Sequence, residues 1–219
     1  MRAAIALIGV LAAGPAMAGG VAMAPCAALK LPVQIDFENF PRVVNGSRYD
    51  DVMRFPGAEI GERFAGQVLG VAGTYDTLSA TAAAPLTLAA GAPGENLSVE
   101  AISRMQNVLN GIGPQGFERK SGSGEGAVAI LFAIDQKAVG VTLHFEMGYA
   151  GAPPAGTVSL AFFGRDAALL EEITLTGAGQ TVVCFQASGP GIAGVSLTNT
   201  DIQGISIDDI AFERVLVLG

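Results

Sequence analysis

Two short acidic motifs stand near opposite ends of the chain, Ile35-Asp36-Phe37-Glu38 and Ile207-Asp208-Asp209-Ile210. Apolar residues flank both, so each reads as part of a β-strand. Strands from the two ends of an all-β domain often pair, and pairing would draw three or more carboxylates into a small volume. Carboxylates so placed repel one another unless a hard cation such as Ca2+ takes up their oxygens. Alternation along 205–212 puts Ile205, Ile207, Asp209 and Ala211 on one face, and Ser206, Asp208, Ile210 and Phe212 on the other. One aspartate would then face a mostly apolar layer, where a bare charge is costly. A cation or a set of N–H donors is the expected compensation, with Glu38 placed to join it. Carbonyls of the following turn would bring the count to about six to eight oxygens.

The other reactive side chains form weaker patterns. His144 is the only histidine and lies on the polar face of a strand with Thr142 and Glu146. No Gly-x-Ser-x-Gly elbow accompanies it, and one imidazole is a poor start for zinc. A hydrogen-bonded or surface histidine is expected. Glycoside hydrolysis needs two carboxylates at a controlled separation. Glu118, Glu125, Glu146, Glu171 and Glu172 are available, but no strand brings two of them to one face, and adjacent Glu171 and Glu172 point opposite ways. They read as solvated charge, and a non-catalytic protein is expected. Ser121-Gly-Ser-Gly-Glu-Gly126 lacks the lysine and helix of a phosphate loop and reads as a connection. Asn199 and Asp201 could rim a ligand or a second ion.

Cys26 and Cys184 are the only cysteines. In an exported chain an even count suggests a bridge, here joining an N-terminal arm to a late strand. The alternative is two free thiols, with Cys184 buried as a small hydrophobe.

These groups need elements to hold them. Residues 1–18 read as a bacterial-type signal peptide: Arg2, an apolar run from Ile5 to Ala13, and Ala16-Met17-Ala18 as cleavage site. The run is too short to span a bilayer, and no other segment approaches the length required. Residues 19–31 are expected to form an arm and 32–219 a single domain. Half the residues are hydrophobic, 15% are charged and 30 are glycine, which suits short strands joined by tight turns. Strand patterns recur at Val33–Phe37, then, after a turn-rich stretch holding Pro41, Asn45-Gly46-Ser47 and Pro56-Gly57, at Arg63–Val71, Leu86–Ala89, Leu97–Ile102, Met105–Leu109, Ala127–Ile134, Val139–Met147, Thr157–Phe163, Leu169–Leu175, Thr181–Ala187, Ile192–Asn199 and Ile205–Val215. Val139, Val141, Leu143, Phe145 and Met147 alternate with Gly140, Thr142, His144 and Glu146, the pattern of a strand with one wet face. The expected fold is all-β: a two-sheet antiparallel β-sandwich of jelly-roll type, with little or no helix outside the leader. The net charge of −8 falls to −9 once Arg2 leaves with the leader, and argues against nucleic acid as a partner.

The opening Asp36-Phe37-Glu38 and closing Ile207-Asp208-Asp209-Ile210 resemble the ends of extracellular jelly-roll modules. These include calcium-binding carbohydrate-binding modules, MAM domains and other galactose-binding-like sandwiches. The resemblance implies a structural calcium held by Glu38 and Asp209, with Asp208 and Asp36 as helpers. It also implies a secreted or periplasmic binding or adhesion module for an extracellular glycan, a matrix polymer or a protein surface. Such modules usually stack sugars on aromatic rings, whereas this chain has no Trp and only Tyr49, Tyr75 and Tyr149. A structural envelope or matrix protein without a small ligand is the alternative, ahead of a polysaccharide-active enzyme.

Overall fold

The computed structural model describes residues 20–79, 81–117, 123–145, 156–201 and 203–214. The leader, Glu118, Glu146, Met147, Tyr149 and Val215–Gly219 lie outside them. The described chain is built of antiparallel strands, and its one helical piece is a short 3-10 turn, Cys26–Ala28.

The first sheet runs in the order β1 (Val21–Met23), β16 (Gln180–Ala187), β13 (Ala138–His144), β18 (Ser206–Phe212), β11 (Asn107–Gly111), β10 (Leu97–Ala101) and β3 (Ser47–Tyr49). β2 (Val33–Ile35) pairs with β18 as well. The second sheet runs β15 (Leu169–Thr176), β14 (Thr157–Phe163), β17 (Ile192–Asn199), β12 (Val128–Gln136), β5 (Ala58–Gly61) and β4 (Met53–Phe55). Their inner faces close on one apolar core. Phe132 of β12 meets Phe212 of β18 at 5.2 Å between ring centroids, and Phe162 of β14 meets Phe185 of β16 at 4.8 Å. Tilted ring pairs of this kind add to the burial that holds two sheets together.

The expected meeting of the chain's two ends is present. β2 pairs with β18 in the register Ile35–Ile210, Gln34–Ala211 and Val33–Phe212. Strict alternation along β18 is not. Val141 pairs with Ile210 and Leu143 with Ile207, so two β18 residues, Asp208 and Asp209, stand against Thr142 alone. This is a β-bulge. It lets Ile207, Ile210 and Phe212 all reach the core, each no more than 1% exposed. Both aspartates are thereby sent to the outer face, where their partners Gln34, Thr142 and His144 also lie, and neither enters the apolar layer. The arm is also more ordered than its composition suggests, because β1 pairs with β16.

Two other expectations change. The turn-rich stretch after Phe37 contains three strands, β3, β4 and β5, with Gly57 at φ 87° in the β4–β5 hairpin. The run expected as one strand from Arg63 to Val71 splits at Gly66, φ 89°, into β6 (Arg63–Phe64) and β7 (Val68–Ala72). β6 pairs with β9 (Leu88–Ala89), and β7 forms a hairpin with β8 (Tyr75–Ser79). Together these make a flap over the outer face of the second sheet. Phe64 and Leu86 of the flap pack on Ala129, Phe163 and Ala193 as a second small core. The Phe64 ring lies so close over Gly194 that a Cβ built there would stand 2.5 Å from it, so only glycine fits beneath the flap.

Candidate functional site

The acidic motifs come first. Asp36 Oδ1 accepts the Glu38 N–H at 3.2 Å. Glu38 Oε1 accepts the Asn107 N–H at 2.9 Å, and its Oε2 pairs with the Arg42 guanidinium at 2.5 Å. Asp208 Oδ2 accepts from the Gln106 amide at 2.7 Å and stands 3.4 Å from His144 Nε2. Asp209 accepts from the Gln34 amide and lies 3.4 Å from the Thr142 hydroxyl. Burial pushes the Asp209 carboxyl up, with Asp208 and Asp36 adding to the push and the Gln34 amide opposing it. Glu38 and Asp208 thus approach adjacent residues, Asn107 and Gln106.

Of the two compensations open to these acids, the structure supplies protein donors. Among the described residues no group of three or more His, Cys, Asp and Glu stands in metal-holding geometry. As placed, Arg42 pairs with Glu38, and side-chain amides donate to Asp208 and Asp209. A melting curve decides the matter. With these donors in place, a chelator should leave the melting temperature unmoved. A fall on chelation that Asp209→Ala abolishes would instead show a cation displacing them.

A second acidic group lies at the root of the flap. Glu62, Asp76 and Glu125 are buried, at 0%, 3% and 4% exposed. Glu62 sits between β5 and β6 and pairs with Arg63, yet its Oε1 finds no partner. Glu125 precedes β12, and its Oε2 is likewise alone. Asp76 on β8 accepts the Ala127 N–H at 2.9 Å, and its own N–H donates to the Glu125 carbonyl at 3.0 Å. Burial pushes all three carboxyls up, Asp76 to about 6, against the lowering effect of Arg63 on Glu62 and of the Ala127 N–H on Asp76. Perturbed acids often mark catalysis. These three are too enclosed to meet a dissolved substrate, and their visible work is to join the β7–β8 hairpin to β12. Of the five glutamates read as catalytic candidates, Glu125 belongs to this group, Glu171 and Glu172 stand on β15, and Glu118 and Glu146 lie outside the described residues. Glu62 and Asp76 went unremarked, although an acid inside Ile60-Gly61-Glu62-Arg63-Phe64 was a signal of enforced burial.

An open concave feature among the described residues lies elsewhere, between the flap and the second sheet. It is a cleft of about 140 Å³. Ser159 of β14 and Ser196 and Thr198 of β17 give it a row of hydroxyls, joined by Thr81. Leu78 of the flap, with Leu169 and Phe163, supplies apolar wall. Gln67 and Glu172 complete the polar set, and the Ser159 hydroxyl donates to Glu172 Oε1 at 2.7 Å. Strand period explains the row: Ser159 and Ala161 face outward on β14 while Leu160 and Phe162 enter the core. Enclosing a drug-sized ligand takes about 300 Å³ or more, so this cleft suits part of a chain laid across it.

The remaining sequence candidates are accounted for by packing. Asn199 donates to the Gly124 carbonyl at 2.7 Å, and Asp201, fully buried, accepts the Gly156 N–H at 3.2 Å, so both knit loops together. Tyr49 packs edge-on against Phe40 at 5.3 Å and offers no flat platform. Compared with protein-family models and with curated proteins, the chain matches none.

Proposed function

We propose that this chain is an exported, non-catalytic binding module, a β-sandwich of jelly-roll type, that holds a hydroxyl-rich extracellular glycan in the cleft between its second sheet and the flap. The observation behind the reading is that one cleft is lined by the hydroxyl residues Ser159, Ser196 and Thr198 together with the apolar Leu78 and Leu169. A sugar chain matches such a lining, with its hydroxyls for the polar residues and its C–H faces for the leucines. The reading does not require the calcium expected from the acidic motifs. The Cys26–Cys184 bridge supports export, since such bonds persist in oxidising compartments.

A matrix protein built by edge pairing has one observation behind it: β15 is an eight-residue edge strand. It carries Glu171 and Glu172, and charge on an edge strand discourages added strands. The cleft is therefore the better-supported surface.

The test is a glycan panel titrated against the mature protein and against a Ser196→Ala, Thr198→Val double variant. Each lost hydroxyl contact is worth about 1 kcal/mol, so the pair should weaken binding about ten-fold or more. The melting temperature should hardly change. A panel with no binder, or a binder indifferent to the double variant, removes the cleft reading.

A further inference from the structure

We infer that the cleft selects a glycan bearing free amines, an amino-sugar chain in its ammonium form, over neutral and acidic chains; this rests on the cleft being the binding site. Glu172 is the only ionisable residue among those lining it, and no Lys, Arg or His stands there. The carboxylate is not loose. Ser159 holds its Oε1 at 2.7 Å, which leaves Oε2 for a ligand. Across the β14–β15 pair Glu172 faces Ala161, so no bulky side chain screens it from the groove. Glu171, its chain neighbour, lies instead beside Gly20 of the arm and contributes nothing to the cleft.

The basic residue of the β14–β15 turn, Arg165, is occupied with Asp135 at 2.8 Å and with the Phe132 carbonyl at 2.8 Å. The whole chain carries −8. A uronate or sulfated chain would thus meet one fixed negative charge in the groove and a repelling field around it. An ammonium group would find an oriented carboxylate. Because Glu172 is exposed, the advantage is modest, about three- to five-fold, and it is screened by salt.

Three oligomers of equal length test this: a β-linked glucosamine oligomer, its N-acetylated form and a uronate oligomer. They are titrated into the mature protein at low salt, at a pH above the carboxylate range and below that of the amine. The free amine should bind about five-fold more tightly than the acetylated form, with the uronate weakest, and added salt should shrink the gap. Glu172→Gln should bring the ratio of amine to acetylated affinity close to one, whatever it does to the affinity of both. Equal binding of amine and acetylated forms, or an advantage that survives Glu172→Gln, overturns this inference and leaves the cleft reading standing. Failure of all three oligomers alongside an empty glycan panel overturns both.

Discussion

Removing the Cys26–Cys184 bridge, by reduction or by replacing both cysteines with alanine, should cost about 3–5 kcal/mol and lower the melting temperature by about 6–20 °C. The bond spans 158 residues and joins Cα atoms 5.2 Å apart. In the chain-entropy account a crosslink over so long a loop restricts the unfolded chain by about 5 kcal/mol. Whole domains are stable by only about 5–15 kcal/mol, and in chains of this size each kcal/mol moves the melting temperature by about 2–4 °C. The bridge also has a local task. It lies over Gly140, where a Cβ would come within 3.0 Å of the Cys184 sulfur, and next to it the Ala24 N–H donates to the Cys184 carbonyl at 2.9 Å. Only three residue pairs hold β1 on β16, so without the bond this edge should fray first. Denaturation with and without reductant measures the global cost. Hydrogen exchange at Val21–Ala24 measures the local one. Unchanged stability together with unchanged exchange would show that the bridge is dispensable.

That bond, and the pairing of β2 with β18 beside the two acidic motifs, were legible because each depends on residue type and chain order alone. What the alternation rule missed was the bulge. Ile207 and Ile210 are three apart, and a strand cannot put both in the core without an extra residue between them. The spacing of Ile-Asp-Asp-Ile was thus the signal of a bulge and not of an aspartate driven into the core. Convergence of the acids was only half visible for a related reason. Glu38 has an arginine four residues on, and Asp208 has Gln106 from a loop far away in sequence, so donors intercept the charges. The strand patterns at Arg63–Val71 and Leu86–Ala89 do fall on flap strands, but β8 shows no pattern and nothing local says that β6 to β9 fold over the second sheet. The flap's effect on β14 and β17 was hidden for the same reason. Phe163, whose side of β14 would otherwise face water, is buried because Phe64 packs edge-on against it at 5.2 Å between ring centroids. The cleft is the gap left beside that contact, a product of tertiary packing that no local pattern encodes.

Asp76→Asn should stabilise the protein at neutral pH, by as much as 2–3 kcal/mol, and should flatten the dependence of stability on pH. The sign follows from linkage. The Asp76 carboxyl has an ordinary value of 3.8 and is pushed up to about 6 by burial in the folded state. Below the lower value both states are protonated and burial carries no charge penalty. Between the two the native state keeps its proton while the unfolded chain releases it, so stability falls as pH rises. Above about 6 the buried carboxylate is charged, and the gap corresponds to about 3 kcal/mol. The wild-type protein should therefore be about 1 kcal/mol more stable near pH 5 than near pH 7 from Asp76 alone, with Glu62 and Glu125 acting in the same direction. Asparagine keeps an oxygen for the Ala127 N–H, which Asp76 accepts at 2.9 Å, and removes the charge. Urea denaturation of both proteins at several pH values checks this. A wild type that loses stability on acidification toward pH 5, or a variant weaker than wild type at neutral pH, would mean that the charged form is favoured at the root of the flap. Some unseen donor or cation would then have to meet the unpartnered Glu62 and Glu125 oxygens.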